Sequence, residues 1–428
     1  MPFWALMVFM FVVFIAPQTL FPALAPFRLG LLTIGLAIAA HLFDTFHRRP
    51  MRLSPEIWIL ACLVAWAIVT APLSYRPGNS VSFLFGDYLR SVAIFWILSD
   101  VVTVPRLRLI AWALTLMAIP IAATALYNFI SRNLRPGDTT RILGYGAQMT
   151  ENPNGVALVV TLILPFSLAL FLIARTTRVR AALFAVIALD VTAVVVTWSR
   201  GGFLALAAVM VTYLYRLLRR PERAWAIATL VLLLVCVPFV PSGYVDRLAT
   251  IGDIQSDPTG SAQDRWSDTL AATRWVLANP IVGAGIGQHV FALNEERGPT
   301  WALVHNVYLI YAADLGIPGL LLFILLLVRC FNNAWLVQRR SAHVTALRDL
   351  FYLAEAIQTS LVAFALSAFF YTHAYDLFYF YYFAGLAVAV RALYNAEARN
   401  LVGTGRVGSR MDLVKQDIGG APDGAGAA

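Results

Sequence analysis

The chain has 428 residues, of which 60% are hydrophobic and 13% are charged, and its formal net charge is +9. About a quarter of the residues in a soluble domain are charged, so this composition excludes an ordinary soluble protein and predicts an all-α polytopic membrane protein. The three cysteines, Cys62, Cys236 and Cys330, lie in or beside apolar runs. They therefore offer no disulfide framework, zinc spacing or haem motif.

Apolar stretches long enough to cross a bilayer recur along the sequence and predict about twelve transmembrane helices. The predicted spans are 3–20, 27–43, 56–74, 81–100, 106–130, 154–174, 180–198, 202–218, 224–241, 306–328, 349–371 and 376–394. The first is expected to be an uncleaved span and not a signal peptide, because no basic residue precedes Arg28. Asp87 and Arg90 interrupt the apolar pattern of the fourth.

The arginines indicate the orientation of the spans. A cluster of arginines follows every even-numbered span from the second to the tenth. In chain order these clusters are Arg48/Arg49/Arg52, Arg106/Arg108, Arg175/Arg178/Arg180, Arg216/Arg219/Arg220/Arg223 and Arg339/Arg340/Arg348. Because basic residues favour cytoplasmic loops, we expect both termini to be cytoplasmic. This pattern also accounts for the positive net charge without a nucleic-acid partner.

The spans predict one membrane domain, residues 1–402, with a single large periplasmic loop at 242–305. Residues 403–428 are rich in glycine and alanine. Such a segment cannot bury a hydrophobic core, so we predict a disordered cytoplasmic tail.

The large loop contains two local patterns. Ser261 and Asp264 have the spacing of a capping box and predict a helix that runs to about Ala278, before Pro280. The glycine-rich run 283–287 lacks the preceding strand and the immediately following helix of a nucleotide-binding loop, so we predict a tight turn.

Polar residues collect where several spans meet the predicted outer side. Arg141 precedes the sixth span, and Asn154 lies at its entrance, where it could be a helix cap. Ser199 and Arg200 lie between the seventh and eighth spans, in what could be an ordinary polar hairpin. An arginine in so short an outer loop is nevertheless unusual for this chain.

His305 and Asn306 precede the long apolar run that begins at Val307. Asp314 follows His305 by nine residues, which places it about half a turn out of phase on a helix, so the two side chains need partners elsewhere. The pair could simply cap the helix, or His305 could supply a titratable imidazole for chemistry. The local pattern alone leaves both interpretations open.

Four segments occur in an order that is typical of one family. They are Asn152-Pro153-Asn154, Ser199-Arg200-Gly201-Gly202, Arg265-Trp266 followed by Pro280-Ile281-Val282-Gly283-Ala284-Gly285, and His305-Asn306 followed by nine residues, Gly316, two residues and Gly319. With these segments the chain resembles the O-antigen ligase/Wzy-type polymerase superfamily of bacterial envelope proteins over about residues 140–330. The last segment is specific, whereas the others are common patterns. Asp314 is a departure, because the family often has glutamate there.

The resemblance implies a metal-independent glycosyltransferase without a cofactor. Such an enzyme moves a glycan from undecaprenyl diphosphate to an acceptor hydroxyl on the periplasmic side of the bacterial inner membrane. An O-antigen ligase with a lipid A core acceptor is the reading we favour, while an O-antigen or exopolysaccharide polymerase and a protein-glycosylating relative share the motifs. A twelve-span transporter is the alternative from another class, although we find no pair of similar halves, which transporters often have.

The resemblance also implies roles for individual residues. Guanidinium groups stabilise phosphate oxygens, so the pyrophosphate is expected to bind Arg141, Arg200 and Arg265. His305 is expected to be the general base, kept neutral by the neighbouring helix N-terminus. Four further residues are expected to support the site, namely Asn154, Ser199, Asn306 and Asp314.

Overall fold

A computed structural model of the protein describes residues 1–47, 53–136, 140–236, 261–298 and 303–403. This part of the chain contains no β-strand, and its one isolated antiparallel bridge joins Leu134 and Ile142. In the same ranges, 9 helices are long and apolar enough to cross a membrane. The all-α polytopic membrane class predicted from composition is therefore confirmed.

The helices follow the apolar runs of the sequence closely. In chain order they are α1 (Pro2–Ile15), α2 (Pro17–Leu20), α3 (Leu29–His47), α4 (Pro55–Thr70), α5 (Pro77–Phe83), α6 (Leu89–Val101), α7 (Val104–Ile130), α8 (Pro153–Ile173), α9 (Thr177–Val196), α10 (Arg200–Leu218), α11 (Arg223–Cys236), α12 (Ser261–Ala278), α13 (His289–Arg297), α14 (Val307–Ser341), α15 (Arg348–Ser367) and α16 (Phe383–Gly403). A π-helical turn, Leu84–Tyr88, joins α5 to α6, and another, Leu377–Tyr382, leads into α16.

Each predicted span overlaps at least one helix of the described residues, but not every such helix is long and apolar enough to cross a bilayer. Helix α1 and the described part of α11 have 14 residues each, whereas a typical span needs about 20. The total of about twelve spans stays a prediction. The predicted loop 242–305 is described only at 261–298 and 303–305, and the predicted tail lies outside the described residues beyond Gly403.

Helix α8 lies at the centre of the bundle. It is apolar on all sides, and 94% of its most apolar 18-residue stretch is buried, as expected for a helix surrounded by other helices. It packs against α7, α9, α10 and α15. The N-terminus of α8 is therefore held in the middle of the molecule, which matters for the site described below.

Helix α14 is broken at Gly316, which has φ 67° and ψ −175°. The glycine-rich turn before α13 inserts at this break: the amide of Ala284 donates to the carbonyl of Ala313 at 2.7 Å, and that of Ile317 donates to Pro280 at 2.7 Å. A Cβ atom at Gly316 would collide with the carbonyl of Ile281. The sequence predicted one continuous span here, and the structure shows two helical segments with a docked turn between them.

The predicted helix in the large loop is confirmed as α12, which ends at Ala278. It packs against α13 and α14. The turn after α12 is docked into α14, and Arg265 on α12 lines the same cavity as His305, which directly precedes the α14 N-cap.

Candidate active site

Residues from distant parts of the chain converge on a polar cavity of about 280 Å³. The polar and charged side chains that line it include Arg135, Arg141, Asn154, Arg265, His305, Tyr371 and His373. An adjoining recess of about 20 Å³ shares several of these residues and adds Trp198, Ser199, Arg200 and Gly201. We call the two together the arginine cavity. All three predicted arginines and His305 therefore line one continuous region.

Two helices begin at the wall of the arginine cavity, and a third begins next to it. The N-cap of α8 is Asn152, whose side chain accepts from Gly155 N at 2.9 Å. Ser199 caps α10 by accepting from Gly202 N at 3.2 Å. The positive ends of such helices favour an anionic ligand.

The third of these N-termini is that of α14, where Asn306 accepts from Leu309 N at 3.1 Å. Asn306 thus supplies the cap, and His305 is left facing the arginine cavity. Asn306 therefore has the capping role that the sequence left open for both residues. His305 does not cap the helix.

Asn154 is not the cap of α8, because Asn152 holds that position. The Asn154 side-chain oxygen instead accepts from Arg141 Nη2 at 2.9 Å, and its backbone carbonyl accepts from the hydroxyl of Tyr371 at 2.9 Å. Asn154 therefore positions two groups of the cavity wall.

The electrostatics of the arginine cavity suit a compact dianion. Four arginines line it, the three predicted ones and Arg135, and no carboxylate lines it among the described residues. Arginine recognises phosphate oxygens through paired N–H donors. The described residues also contain no group of three or more His, Cys, Asp or Glu side chains that could hold a metal ion.

His305 is partly buried at the cavity wall. Its pKa is lowered to about 4, mainly by burial and then by the positive charge of Arg265 and the proximity of His373, while a hydrogen bond to the Leu303 backbone acts in the opposite direction. The imidazole is therefore neutral at physiological pH. A neutral imidazole keeps a nitrogen lone pair for accepting a proton.

Tyr371 forms the floor of the arginine cavity. Burial raises its pKa to about 12, so the hydroxyl stays protonated, although hydrogen bonding with Ser199 and the charges of Arg265 and Arg141 act in the opposite direction. A Cβ atom at Gly201 would lie 3.1 Å from the Tyr371 ring. The glycine after Arg200 therefore allows α10 to approach this floor closely.

Asp314 lies outside the arginine cavity and is completely buried. Its carboxylate accepts from the backbone amides of Gly287 at 3.0 Å, Gln288 at 3.0 Å and His289 at 2.6 Å. It also contacts His289 Nδ1 at 3.1 Å. Asp314 thus anchors the glycine-rich turn and the start of α13 to α14, and its support of the site is indirect.

Sequence reasoning missed Arg135, Tyr371 and the place of His373 in the site. His373 Nδ1 lies 2.6 Å from Asp376 Oδ2, and its ring stacks on Tyr379 at 4.4 Å between centroids. The only signal in the sequence was a histidine in a predicted outer loop. Nothing local linked it to His305.

Residues 183–324 match the Wzy_C family model, which is described as O-antigen ligase. The matched segment runs from α9 into α14 and contains Arg200, Arg265 and His305, which the fold brings to one cavity. The match confirms the resemblance to the O-antigen ligase/Wzy-type superfamily. A comparison with curated proteins found no match.

Proposed function

We propose, from the O-antigen ligase domain that the chain carries at residues 183–324, that the protein transfers a glycan from undecaprenyl diphosphate to an acceptor hydroxyl. The reaction takes place at the periplasmic face of the bacterial inner membrane, and both termini are cytoplasmic. The function most consistent with the motifs is O-antigen ligase, with lipid A core as acceptor. The observation that carries this proposal is the convergence of four arginines and His305 on a cavity lined by no described carboxylate.

The arginines bind the diphosphate of the donor. A diphosphate diester carries two negative charges and is a stable leaving group that needs no protonation. Guanidinium donors and the N-termini of α8 and α10 stabilise the charge that develops on it as the glycosidic bond breaks. These contacts supply the electrostatic part of catalysis.

His305 accepts the proton. The acceptor oxygen forms a bond with the anomeric carbon, the bond from that carbon to the diphosphate breaks with its electron pair on the diphosphate, and the hydroxyl proton moves to His305. Without a bound anion His305 would be a weak base, because burial and Arg265 disfavour the imidazolium. A bound diphosphate offsets the positive charge and raises the pKa of His305, so the base strengthens when the donor is present.

A reconstituted reaction tests this proposal. Purified protein in liposomes is given an undecaprenyl-diphosphate-linked glycan and lipid A core, and covalent product is measured. Glycan-modified lipid A core supports a ligase, whereas longer undecaprenyl-linked glycan supports a polymerase. Movement of the donor across the bilayer without a new glycosidic bond would support a transporter and refute the proposal.

A further inference from the structure

A second cavity, of about 500 Å³, lies beside the arginine cavity. Its walls come from α1, α3, α6, the turn at 148–149 and the segment 373–376. A volume of this size is typical of sites that hold a small organic ligand. The proposed function gives this cavity no role.

One wall of the second cavity is apolar. It consists of Phe9, Val12 and Val13 on α1 and Ile34 on α3. Elsewhere on the same two helices, large apolar side chains are exposed, namely Trp4, Val8, Phe11, Leu32 and Leu36. In a membrane protein such surfaces contact lipid, so hydrocarbon chains can reach this wall from the bilayer.

The other wall is polar and carries charges of both signs. Arg90 pairs with Asp87 at 3.6 Å, and Asp376 lies 2.6 Å from His373. Arg28, directly before α3, has no ion-pair partner among the described residues. Tyr375 also lines the cavity, and its buried hydroxyl has no hydrogen-bond partner among the described residues. A ligand with a phosphate and sugar hydroxyls would complement this wall.

His373 belongs to the walls of both cavities. Its hydrogen bond with Asp376 and its stacking on Tyr379 hold it in place. Tyr379 in turn donates to the carbonyl of Met149 at 2.9 Å, which joins the two segments that separate the cavities. A ligand in the second cavity therefore meets the arginine cavity at His373.

We propose that the second cavity binds the acceptor, and that this acceptor is a membrane lipid with a phosphorylated headgroup. Its chains lie against the apolar wall, its phosphate contacts Arg28, and its reactive hydroxyl passes His373 to reach the donor sugar. This inference rests on the proposed function. The bonds formed and broken are those given above, with the acceptor proton passing to His305.

Gly30 offers a way to block the second cavity without disturbing the fold. It lines the cavity, and a Cβ atom placed on it meets no atom within 4 Å. Gly35 on the same helix is equally unobstructed but does not line the cavity. The variants Gly30→Trp and Gly35→Trp are therefore a matched pair.

The test measures transfer to lipid A core and, separately, binding of lipid A core by native mass spectrometry in nanodiscs. We expect Gly30→Trp to raise the KM for lipid A core by about tenfold or more, a loss comparable to that of one good contact. The KM for the undecaprenyl-linked donor should stay unchanged, and Gly35→Trp should match the wild type in both assays. Arg28→Gln should weaken binding of lipid A core more than binding of its dephosphorylated form.

The two assays separate the failure of this inference from the failure of the proposed function. If the wild type makes product and Gly30→Trp does so with an unchanged acceptor KM, the cavity is not the acceptor site. A raised donor KM in Gly30→Trp would assign the cavity to the donor lipid and also overturn the inference. If the wild type makes no product but lipid A core binding is lost only in Gly30→Trp, the lipid site stands and the reaction assignment fails.

Discussion

Replacing His305 with asparagine removes the proposed base while keeping the local architecture. The helix cap of α14 comes from Asn306, so His305→Asn deletes no cap. Since the pKa of His305 is about 4, the imidazole is neutral at pH 7, and the substitution changes no charge in the empty site. The folded protein should therefore tolerate the change well.

The catalytic cost should be large. A positioned general base typically contributes about 10²–10⁴-fold, which corresponds to about 3–5 kcal/mol of transition-state stabilisation. We expect kcat to fall by that factor while donor affinity at pH 7 changes little. Single-turnover transfer from a labelled donor measures the first quantity, and equilibrium donor binding measures the second.

The pH dependence gives a sharper test, because the proposal couples the His305 proton to the donor. If the diphosphate raises the pKa of His305, then by linkage the protonated histidine binds the donor more tightly. Donor affinity should rise as the pH falls from 7 towards 4, and the acidic limb of kcat should lie at higher pH than that of kcat/KM. The other titratable or charged groups at this cavity are His373, Tyr371 and the arginines, and Tyr371 stays protonated over this pH range. The His305→Asn protein therefore serves as the control that should lose the effect. Near-normal turnover by His305→Asn, or the same pH dependence of donor binding in that variant, would refute the assignment.

Three further predictions address the donor site, the fold and the orientation. Arg200→Lys and Arg265→Lys should each reduce kcat/KM by about 10- to 100-fold, nearly as much as substitution by alanine, because lysine cannot make paired contacts to phosphate. Wild-type activity of either variant at equal expression would show that the arginine replaced in it is not part of the site. Gly316→Ala should lower the thermal unfolding temperature by several degrees, since a left-handed conformation there costs about 1–3 kcal/mol without glycine, and Gly35→Ala should not. Thr273→Cys, exposed on α12, should react with an impermeant maleimide in intact spheroplasts of a cysteine-free background, and reaction only after membrane rupture would reverse the topology.

Hydropathy predicts the helices of this protein because crossing a bilayer requires long apolar segments whatever their tertiary contacts. It cannot predict the break at Gly316, because the apolar run continues through it. The left-handed glycine is required only because the turn at 280–287 docks there, and the docking partner lies about thirty residues earlier in the sequence. In the sequence, Gly316 was visible only as part of the motif spacing after His305-Asn306. The reason why glycine is needed there, the docking of the turn, is visible only in the structure.

The candidate site likewise contains residues that the sequence predicts and residues that only the fold brings to it. Arg200, Arg265 and His305 were predicted because they lie in the segments that carry the family resemblance, and Arg141 was predicted because it precedes the sixth predicted span. Tyr371 has no such pattern. It reaches the cavity because the end of α15 packs near the start of α10, where Gly201 leaves room for its ring.

Asp314 was predicted to support the site, and it does not line the arginine cavity. Three backbone amides donate to its carboxylate, which is a strong and geometrically demanding set of partners. A longer glutamate would carry its carboxylate about one bond further from α14, so it could accept from the same three amides at these distances only if the glycine-rich turn moved away from α14. That turn follows α12, which carries Arg265 and packs against α14. Asp314 therefore contributes to the proposed site through the docked turn, without lining the arginine cavity.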